Sequence, residues 1–331
     1  MLVTQAMEIL DLRHFRSTEL RPLLEAESQE WAHMLSWDYS SSAEMILRYM
    51  DARILPGYAA VEERNVIGYT FFVYEGSKGV IGDLFVQPDP GHPTLIRREI
   101  EERLLGQVIE TLQVSPGVHR IEAQLLLHDG GSLDRIFTEE GFRRHPRLFM
   151  SLPLRKGSHH AGLGSANGNV AGNFPDVEFR KWSENDFQSA AALITAAYRE
   201  HVDSEINDQY RTLAGSLRFL NNIIRFPGCG TFDGDASFVA RSRRSGAMLG
   251  LILCSRVKND VGHVTQVCLT PEQRNRGLGQ ALISIAASEL RRHNCNTLSL
   301  TVTQANTRAV ELYKKLGFSI DRVFDAFVWE G

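Results

Sequence analysis

The chain repeats one order of elements, and that repeat limits the folds open to it more than any other feature. Period-2 and period-3.6 patterning predicts strands at 57–61, 66–74 and 79–86, a helix at 95–112, a strand at 121–127 and a short helix at 133–140 that stops at Gly141-Phe142. The same order returns later. Strands are expected at 237–241, 248–257 and 262–269, a helix at 278–293, a strand at 297–303 and a helix at 307–316 that stops at Gly317-Phe318. One or two helices precede each copy, at 18–49 and 184–225. A repeat this long implies two duplicated domains, since solenoid units run only ~20–50 residues. The full 331 residues suit two domains of ordinary size.

Residues 156–174, KGSHHAGLGSANGNVAGNF, break the pattern with small and turn-forming residues and read as a flexible linker. The expected organisation is therefore a domain at 1–155, the linker at 156–174 and a second domain at 175–331. The adjacent His159 and His160 fall inside this solvated stretch and are read as incidental, so no metal is expected.

Composition removes several classes. With 43% hydrophobic and 23% charged residues the chain is neither disordered nor disulfide-stapled. A net charge of −4 gives no electrostatic reason to expect nucleic acid. The longest apolar run, 247–254, is far shorter than the ~20 residues a bilayer span needs, so no membrane partner is expected. Glu8 and Asp11 interrupt what would be a signal-peptide core, which points to the cytoplasm. Cys229, Cys254, Cys268 and Cys295 form no C-x-x-C pair and read as buried free thiols. The first 156 residues hold 17 basic and 23 acidic side chains, the remainder 19 and 17, so the second half is the natural home for an anionic ligand.

The segment from Gln266 to Gln280, QVCLTPEQRNRGLGQ, is a strand, a proline stop, a polar loop with two glycines, then an apolar helix. Several N–H groups at such a junction lack intrahelical partners and converge on one point, which the helix dipole also makes positive. Gly277 and Gly279 permit close approach of a ligand, and Arg274 and Arg276 add charge. The sum is a pyrophosphate cradle. A solvated turn before a core helix would use the same residues. A dinucleotide fingerprint would need glycine at Leu282, and a P-loop would need a lysine and a hydroxyl that are missing.

Arg274-Asn275-Arg276-Gly277-Leu278-Gly279 resembles R/Q-x-x-G-x-G/A, the acyl-CoA loop of the GNAT acetyltransferase superfamily. Beyond the strand TLSLTVT, the stretch from Asn306 to Phe318, NTRAVELYKKLGF, resembles the family pattern N-x-x-A-x-x-L-Y-x-x-x-G-F. The resemblance covers 177–331 on motifs and 1–155 on the repeat. It implies an α/β (α+β) fold of two tandem GNAT-like domains, each a mixed, splayed central sheet flanked by helices. It implies acetyl-CoA as co-substrate, bound in the splay. Val267, Cys268 and Leu269 would then offer backbone to pantetheine, and the amides of Asn275, Arg276, Gly277, Leu278, Gly279 and Gln280 would hold the pyrophosphate. Asn306 would bind the cofactor chain, and Tyr313 would face the departing sulfur.

The implied chemistry is direct attack of a primary amine on a thioester. A preorganised N–H at the bulge of the fourth strand would stabilise the oxyanion, and a phenol of pKa about 10 would protonate the thiolate. Tyr313 also fits a half-buried core aromatic. The base is open: relatives use a Glu on the fifth strand, where this chain has Thr301, or a residue early on the fourth, where it has His263. His263 is equally a structural strand-end histidine. The acidic segment 201–208 would line the acceptor cleft or form a solvated loop.

Sliding the first half onto the second sets Phe137 on Tyr313, Gly130 on Asn306 and DPGHPT (89–94) on the phosphate loop. Pro93 lacks an N–H, Asp89 adds an acid and neither glycine survives, so the first domain reads as a degenerate, structural copy. The expected activity is N-acetyltransfer to an amine-bearing acceptor from the second domain; a non-catalytic acyl-CoA sensor or scaffold is the alternative. The layout also resembles tandem members that acetylate a cysteinyl amine of thiol cofactors. The acceptor and the oligomeric state stay open.

Overall fold

A computed structural model describes residues 7–88, 94–154, 173–226, 228 and 230–331, without the side chains of 94–96. His159, His160, Cys229, the loop 89–93 and most of the expected linker lie outside these residues. The chain forms two compact units, Met1–Pro146 with Phe324–Gly331, and Arg147–Val323. Each unit therefore contains a segment from the other half of the sequence.

Unit 1 comprises β1 (Glu8–Asp11), α1 (Ser17–Leu35), α2 (Ser40–Asp51), β2 (Gly57–Glu62), β3 (Asn65–Glu75), β4 (Lys78–Val86), α3 (Thr94–Val114), β5 (Arg120–Gln124) and α4 (Asp134–Glu139). Strands β1 to β4 form an antiparallel meander and β5 joins β4 in parallel. Helices α1 and α2 cover one face, with Leu20, Leu23, Leu24, Ile46 and Leu47 on Tyr69 and Phe85. Helix α3 covers the other, with Leu104, Val108 and Leu112 on Ile81 and Ile121. Burying one such side chain contributes about 1.5–3 kcal/mol.

Unit 2 holds most of β6 (Arg143–Pro153), then β7 (Val177–Lys181), α5 (Phe187–Ala197), α6 (Val202–Ile206), α7 (Leu213–Arg225), β8 (Thr231–Phe232), β9 (Phe238–Ser242) and β10 (Met248–Lys258). There follow β11 (Val261–Leu269), α8 (Leu278–Arg292), β12 (Thr297–Thr303), α9 (Thr307–Leu316) and the start of β13 (Ser319–Glu330). Strands β7, β9, β10 and β11 are antiparallel neighbours, and β12 is parallel to β11. Helices α5 and α7 pack on one face, through Ala190, Ile194 and Leu220 on Val239, Leu251 and Leu253. Helices α8 and α9 pack on the other, through Leu282, Ala286, Val310 and Leu316 on Ile252, Cys254 and Leu300.

The parallel pairs are short. β11 pairs with β12 only from Val261–Thr297 to Val264–Leu300, and β4 with β5 only from Lys78–Arg120 to Ile81–Ala123. Beyond these points the strands diverge, which is the expected splay. A β-bulge sits at each divergence. Cys254 faces Val264 while Leu253 faces Gln266, leaving Thr265 as the extra residue. In unit 1, Phe71 faces Asp83 while Phe72 faces Ile81, leaving Gly82. The repeated Gly-Phe pair is also explained. Gly141 and Gly317 are left-handed, at φ +81° and +97°, and Phe142 and Phe318 donate N–H bonds to Phe137 O and Tyr313 O at 2.9 and 3.0 Å. This is the Schellman stop, with its usual apolar contact between the same two residues: Phe137–Phe142 at 5.1 Å and Tyr313–Phe318 at 5.7 Å.

The strand after each stop completes the opposite unit's sheet. Residues 147–153 of β6 pair antiparallel with all of β12, and residues 326–330 of β13 pair with β5. Phe327 stacks on Phe137 at 4.0 Å in the unit 1 core. Lys78, Arg120 and Glu122 form a buried ion cluster there, and Arg120 also pairs with Glu330.

Two outcomes follow for unit 1. Phe327→Ala should cost about 3–5 kcal/mol, the usual range for a buried phenylalanine, read as lost hydrogen-exchange protection in β5 and α4 ahead of β10 and β11. Glu27 is fully buried and accepts from Tyr69 Oη at 2.6 Å and Trp31 Nε1 at 3.2 Å; burial, then the charge of Asp83, hold its carboxyl well above the usual range. A raised folded pKa means that folding takes up a proton. Stability should therefore fall as pH climbs from the unfolded carboxyl value of about 4.3 toward the folded one, and Glu27→Gln should flatten that slope in denaturation series run across pH.

Candidate active site

The phosphate-loop residues build an open helix start. Thr270 leads into a single 3₁₀ turn at Pro271–Gln273, then Asn275 and Gly277 both take positive φ, at 61° and 82°. Gly277 is the residue before α8 and provides no side-chain cap, so the first-turn amides of α8 receive none. Leu278 and Leu282 instead anchor the helix in the core. That settles the residue a dinucleotide fingerprint would need as glycine: Leu282 is fully buried packing. A Cβ at Gly279 would lie 3.6 Å from Leu269 and 3.8 Å from Leu312, so the end of β11, the start of α8 and the face of α9 meet at this residue. Arg276 is exposed, whereas Arg274 donates to Ala197 O at 2.6 Å and ties the loop to the end of α5.

On β11, Thr270 donates its N–H to Leu249 O, which fixes the phase of the antiparallel ladder. By its alternation Cys268 bonds across to β10, while the amides of Val267 and Leu269 point away from it, into the splay. Cys268 packs on the α5–α7 face, and burial pushes its thiol pKa up, so it is not a reactive thiolate. Cys254 and Cys295 are likewise free and buried.

Asn306 precedes α9 and its Oδ1 accepts from Ala309 N–H at 3.4 Å. Tyr313 lies about two turns further along. It is buried among Val310, Leu316 and Phe318, and its phenol is pushed up first by desolvation and then by the negative charge of Asp203. Asp203 comes from α6, inside the acidic segment 201–208. Thr303, at the splayed end of β12, donates to Asp203 Oδ1. His201 Nδ1 lies 3.6 Å from Asp203 Oδ2, and its Nε2 lies 3.4 Å from Asn306 Nδ2. Tyr198 meets the His201 ring edge-on at 5.2 Å and stacks on Tyr210 at 4.5 Å. The sequence reading did not single out His201, Tyr198 or Thr303. They sit at the ends of α5, α6 and β12, where periodicity does not say which elements meet.

His263 sits apart from this cluster. It lies in the paired part of β11, is 4% exposed, contacts Ser299 Oγ at 2.9 Å and stacks on Phe149 at 6.3 Å. Burial, then the charge of Arg147, lower its pKa to about 3. Such an imidazole is a poor acceptor for an ammonium proton near neutrality, so its geometry is that of a packed residue. Thr301 on β12 accepts from Arg147 Nη2 of the neighbouring β6 at 3.4 Å, so a cation stands beside the position where the resemblance would put a glutamate.

Among the described residues no helix is long and apolar enough to cross a membrane, and no group of three or more His, Cys, Asp or Glu side chains could hold a metal. In unit 1 the counterpart of Tyr313, Phe137, is fully buried and stacked, and the counterpart of the phosphate loop lies outside the described residues.

Residues 196–318 match the model of the acetyltransferase (GNAT) family. Over 291 residues the chain is 34% identical to a protein named mycothiol acetyltransferase from Acidimicrobium ferrooxidans, covering 84% of each. Its fold is similar to a GCN5-related N-acetyltransferase from Sphaerobacter thermophilus, with a TM-score of 0.62, 15% identity, and 98% and 95% of the two chains covered. It is also similar to a tandem GNAT protein from the clavulanic acid biosynthesis pathway, with a TM-score of 0.57, 13% identity and 98% of both chains covered. With the splay, the uncapped α8 and both motifs in place, the chain belongs to the GNAT family of acetyltransferases.

Proposed function

We propose that the chain transfers acetyl from acetyl-CoA to a primary amine by direct attack, and that unit 2 does the work. One observation carries this reading: Asn306, Tyr313 and Thr303, on the elements that flank the splay, face the α6 segment across a polar cluster. The chain's residues fit the cofactor. The uncapped amides at Leu278 and Gly279 would hold its pyrophosphate, and the outward amides of Val267 and Leu269 would hold its pantetheine. Bound acetyl-CoA supplies an acetyl group already activated as a thioester.

The chain supplies position and protons. Burial keeps the Tyr313 phenol protonated through the working pH range, so it carries a proton for a departing sulfur. Asp203 is only partly buried and offers a negative charge to an approaching ammonium. The acceptor we favour is the amine of a thiol-cofactor precursor, following the name of the relative from Acidimicrobium ferrooxidans. Mass spectrometry of products from acetyl-CoA with glucosamine, a cysteinyl glucosaminide, L-cysteine methyl ester and a lysine tripeptide tests the reading. Acetylation of none of them overturns it.

Unit 1 is, in this reading, a non-catalytic copy, so calorimetry should count one acetyl-CoA per native chain. Gly279→Glu should abolish that binding by bulk and like charge while leaving the fold intact, because a Cβ there meets only ordinary contacts. Retained affinity, or two sites per native chain, would contradict the assignment. Tyr313→Phe keeps the packing and removes the proton. It should lower kcat about 10²-fold, toward the weaker end of general acid catalysis, with acetyl-CoA affinity unchanged. Full activity would remove the phenol from the mechanism.

A further inference from the structure

We infer that His201 is the base that takes the acceptor's proton, with Asp203 as its positioning residue. This rests on the reading of unit 2 as an amine acetyltransferase and goes beyond it by naming a proton acceptor in place of His263.

The inference starts from contacts that cross the site. His201 and Asp203 lie on the acceptor side, at the start of α6, while Asn306 and Thr303 belong to the elements beside the splay. Asp203 Oδ1 accepts from Thr303 Oγ1, and His201 Nε2 faces Asn306 Nδ2 at 3.4 Å. Asn306 cannot turn its amide round, because its Oδ1 is engaged by Ala309 N–H. An N–H therefore faces each ring nitrogen of His201: Asn306 Nδ2 at Nε2, and Asp203 N at Nδ1, 3.2 Å away. A neutral imidazole has one lone pair, so it satisfies one of these contacts at a time. As placed, Nδ1 accepts the Asp203 N–H that caps α6; the base requires the other tautomer, which releases that cap, turns an Nδ1 proton toward Asp203 Oδ2 at 3.6 Å and leaves the lone pair at Nε2, toward Asn306. The ring's side chain is 25% exposed, unlike the enclosed His263.

Among the described residues, the charged and titratable groups whose contacts reach this cluster include Asp203 on α6, Tyr198 at the end of α5 with Tyr210 stacked on it, Tyr313 on α9 through Asp203, and Arg211, whose Nε donates to Ser204 O. The proton path balances. An N–H bond of the acceptor ammonium breaks and its proton moves to His201 Nε2. The freed lone pair forms the C–N bond to the acetyl carbon as the C–S bond breaks. The sulfur takes the Tyr313 proton, and the phenolate recovers the second proton from the new amide nitrogen. His201 then releases its proton to water.

His201→Asn is the discriminating variant. Asparagine is a good residue to cap α6 through Asp203 N–H, so the local fold is retained while the titrating ring is lost. With acetyl-CoA and the fastest amine of the panel above, kcat should fall about 10²-fold, with KM for acetyl-CoA within twofold of native. The acidic limb of kcat/KM against pH should disappear. In Asp203→Asn that limb should remain while kcat falls, since the ring keeps its titrating nitrogen and loses its positioning contact. Native activity with an intact acidic limb in His201→Asn means that the ring is only a helix cap, and overturns the inference. A His263→Gln variant that alone loses the limb overturns it as well. A native chain inert toward every amine is a different failure, of the transfer reading itself, and this inference falls with it.

Discussion

The chemistry proposed for unit 2 depends on a parallel ladder that stops after four residue pairs. Between Val264–Leu300 and the strand ends, β11 and β12 have no backbone bonds to each other, so the last turns of sheet present open edges. The bulge makes this stable. Thr265 has no opposite residue on β10, and its Oγ1 donates to Leu253 O at 3.0 Å, which holds the extra residue in place. Downstream of it, Val267 and Leu269 pack toward α8 while Gln266 and Cys268 turn to the α5–α7 face. The crevice opens at the carboxyl ends of the parallel strands, where α8 and α9 begin, so motif residues far apart in sequence start from one place.

Unit 1 keeps the constraint and changes the filling. Its bulge residue is Gly82, beneath the Phe71 ring, where any Cβ would stand 2.1 Å from an aromatic carbon. The next residue, Asp83, accepts from Tyr39 Oη at 2.8 Å, and Tyr39 stacks on Trp31 at 4.8 Å. Glu27 and Tyr69 complete a buried polar core on the same face. The equivalent residue of unit 2, Gln266, leaves its Nε2 without a partner among the described residues. Duplication thus preserved the backbone irregularity that makes a crevice, and in one copy aromatic and carboxyl side chains pack closely beside it.

The repeat, the order of strands and helices, and the motif positions were legible because each rests on local pattern: period, glycine spacing and the Gly-Phe stops. The exchange of final strands was not. The stretches after Gly141-Phe142 and Gly317-Phe318, RRHPRLFMSLP and SIDRVFDAFVWE, are similar in length and alternation, and nothing within either says which sheet edge it joins. The choice is made by distant partners, such as Phe137 under Phe327 and the Arg120 ion cluster beside Glu330. The short edge strands β1 and β7 escaped the sequence reading because four or five residues carry little periodicity. For His263 strand alternation gives a face, but the depth of burial comes from Phe149 and Ser299, on strands far away in sequence.

The acidic segment 201–208 shows how one carboxylate acquires a specific task. In sequence, Asp203, Glu205 and Asp208 are equivalent negative charges in a loop. In the fold, Asp203 accepts from Thr303 at the end of β12 and raises the pKa of Tyr313. The Schellman stop fixes the other partner, since the carbonyl of Tyr313 receives the Phe318 N–H and the two rings pack together. Asp203 therefore opposes early loss of the phenol proton while attracting a cationic acceptor. Both effects act in the direction that the proposed amine acetylation requires, and both come from a residue whose position is set by a strand end that the truncated ladder leaves unpaired with β11.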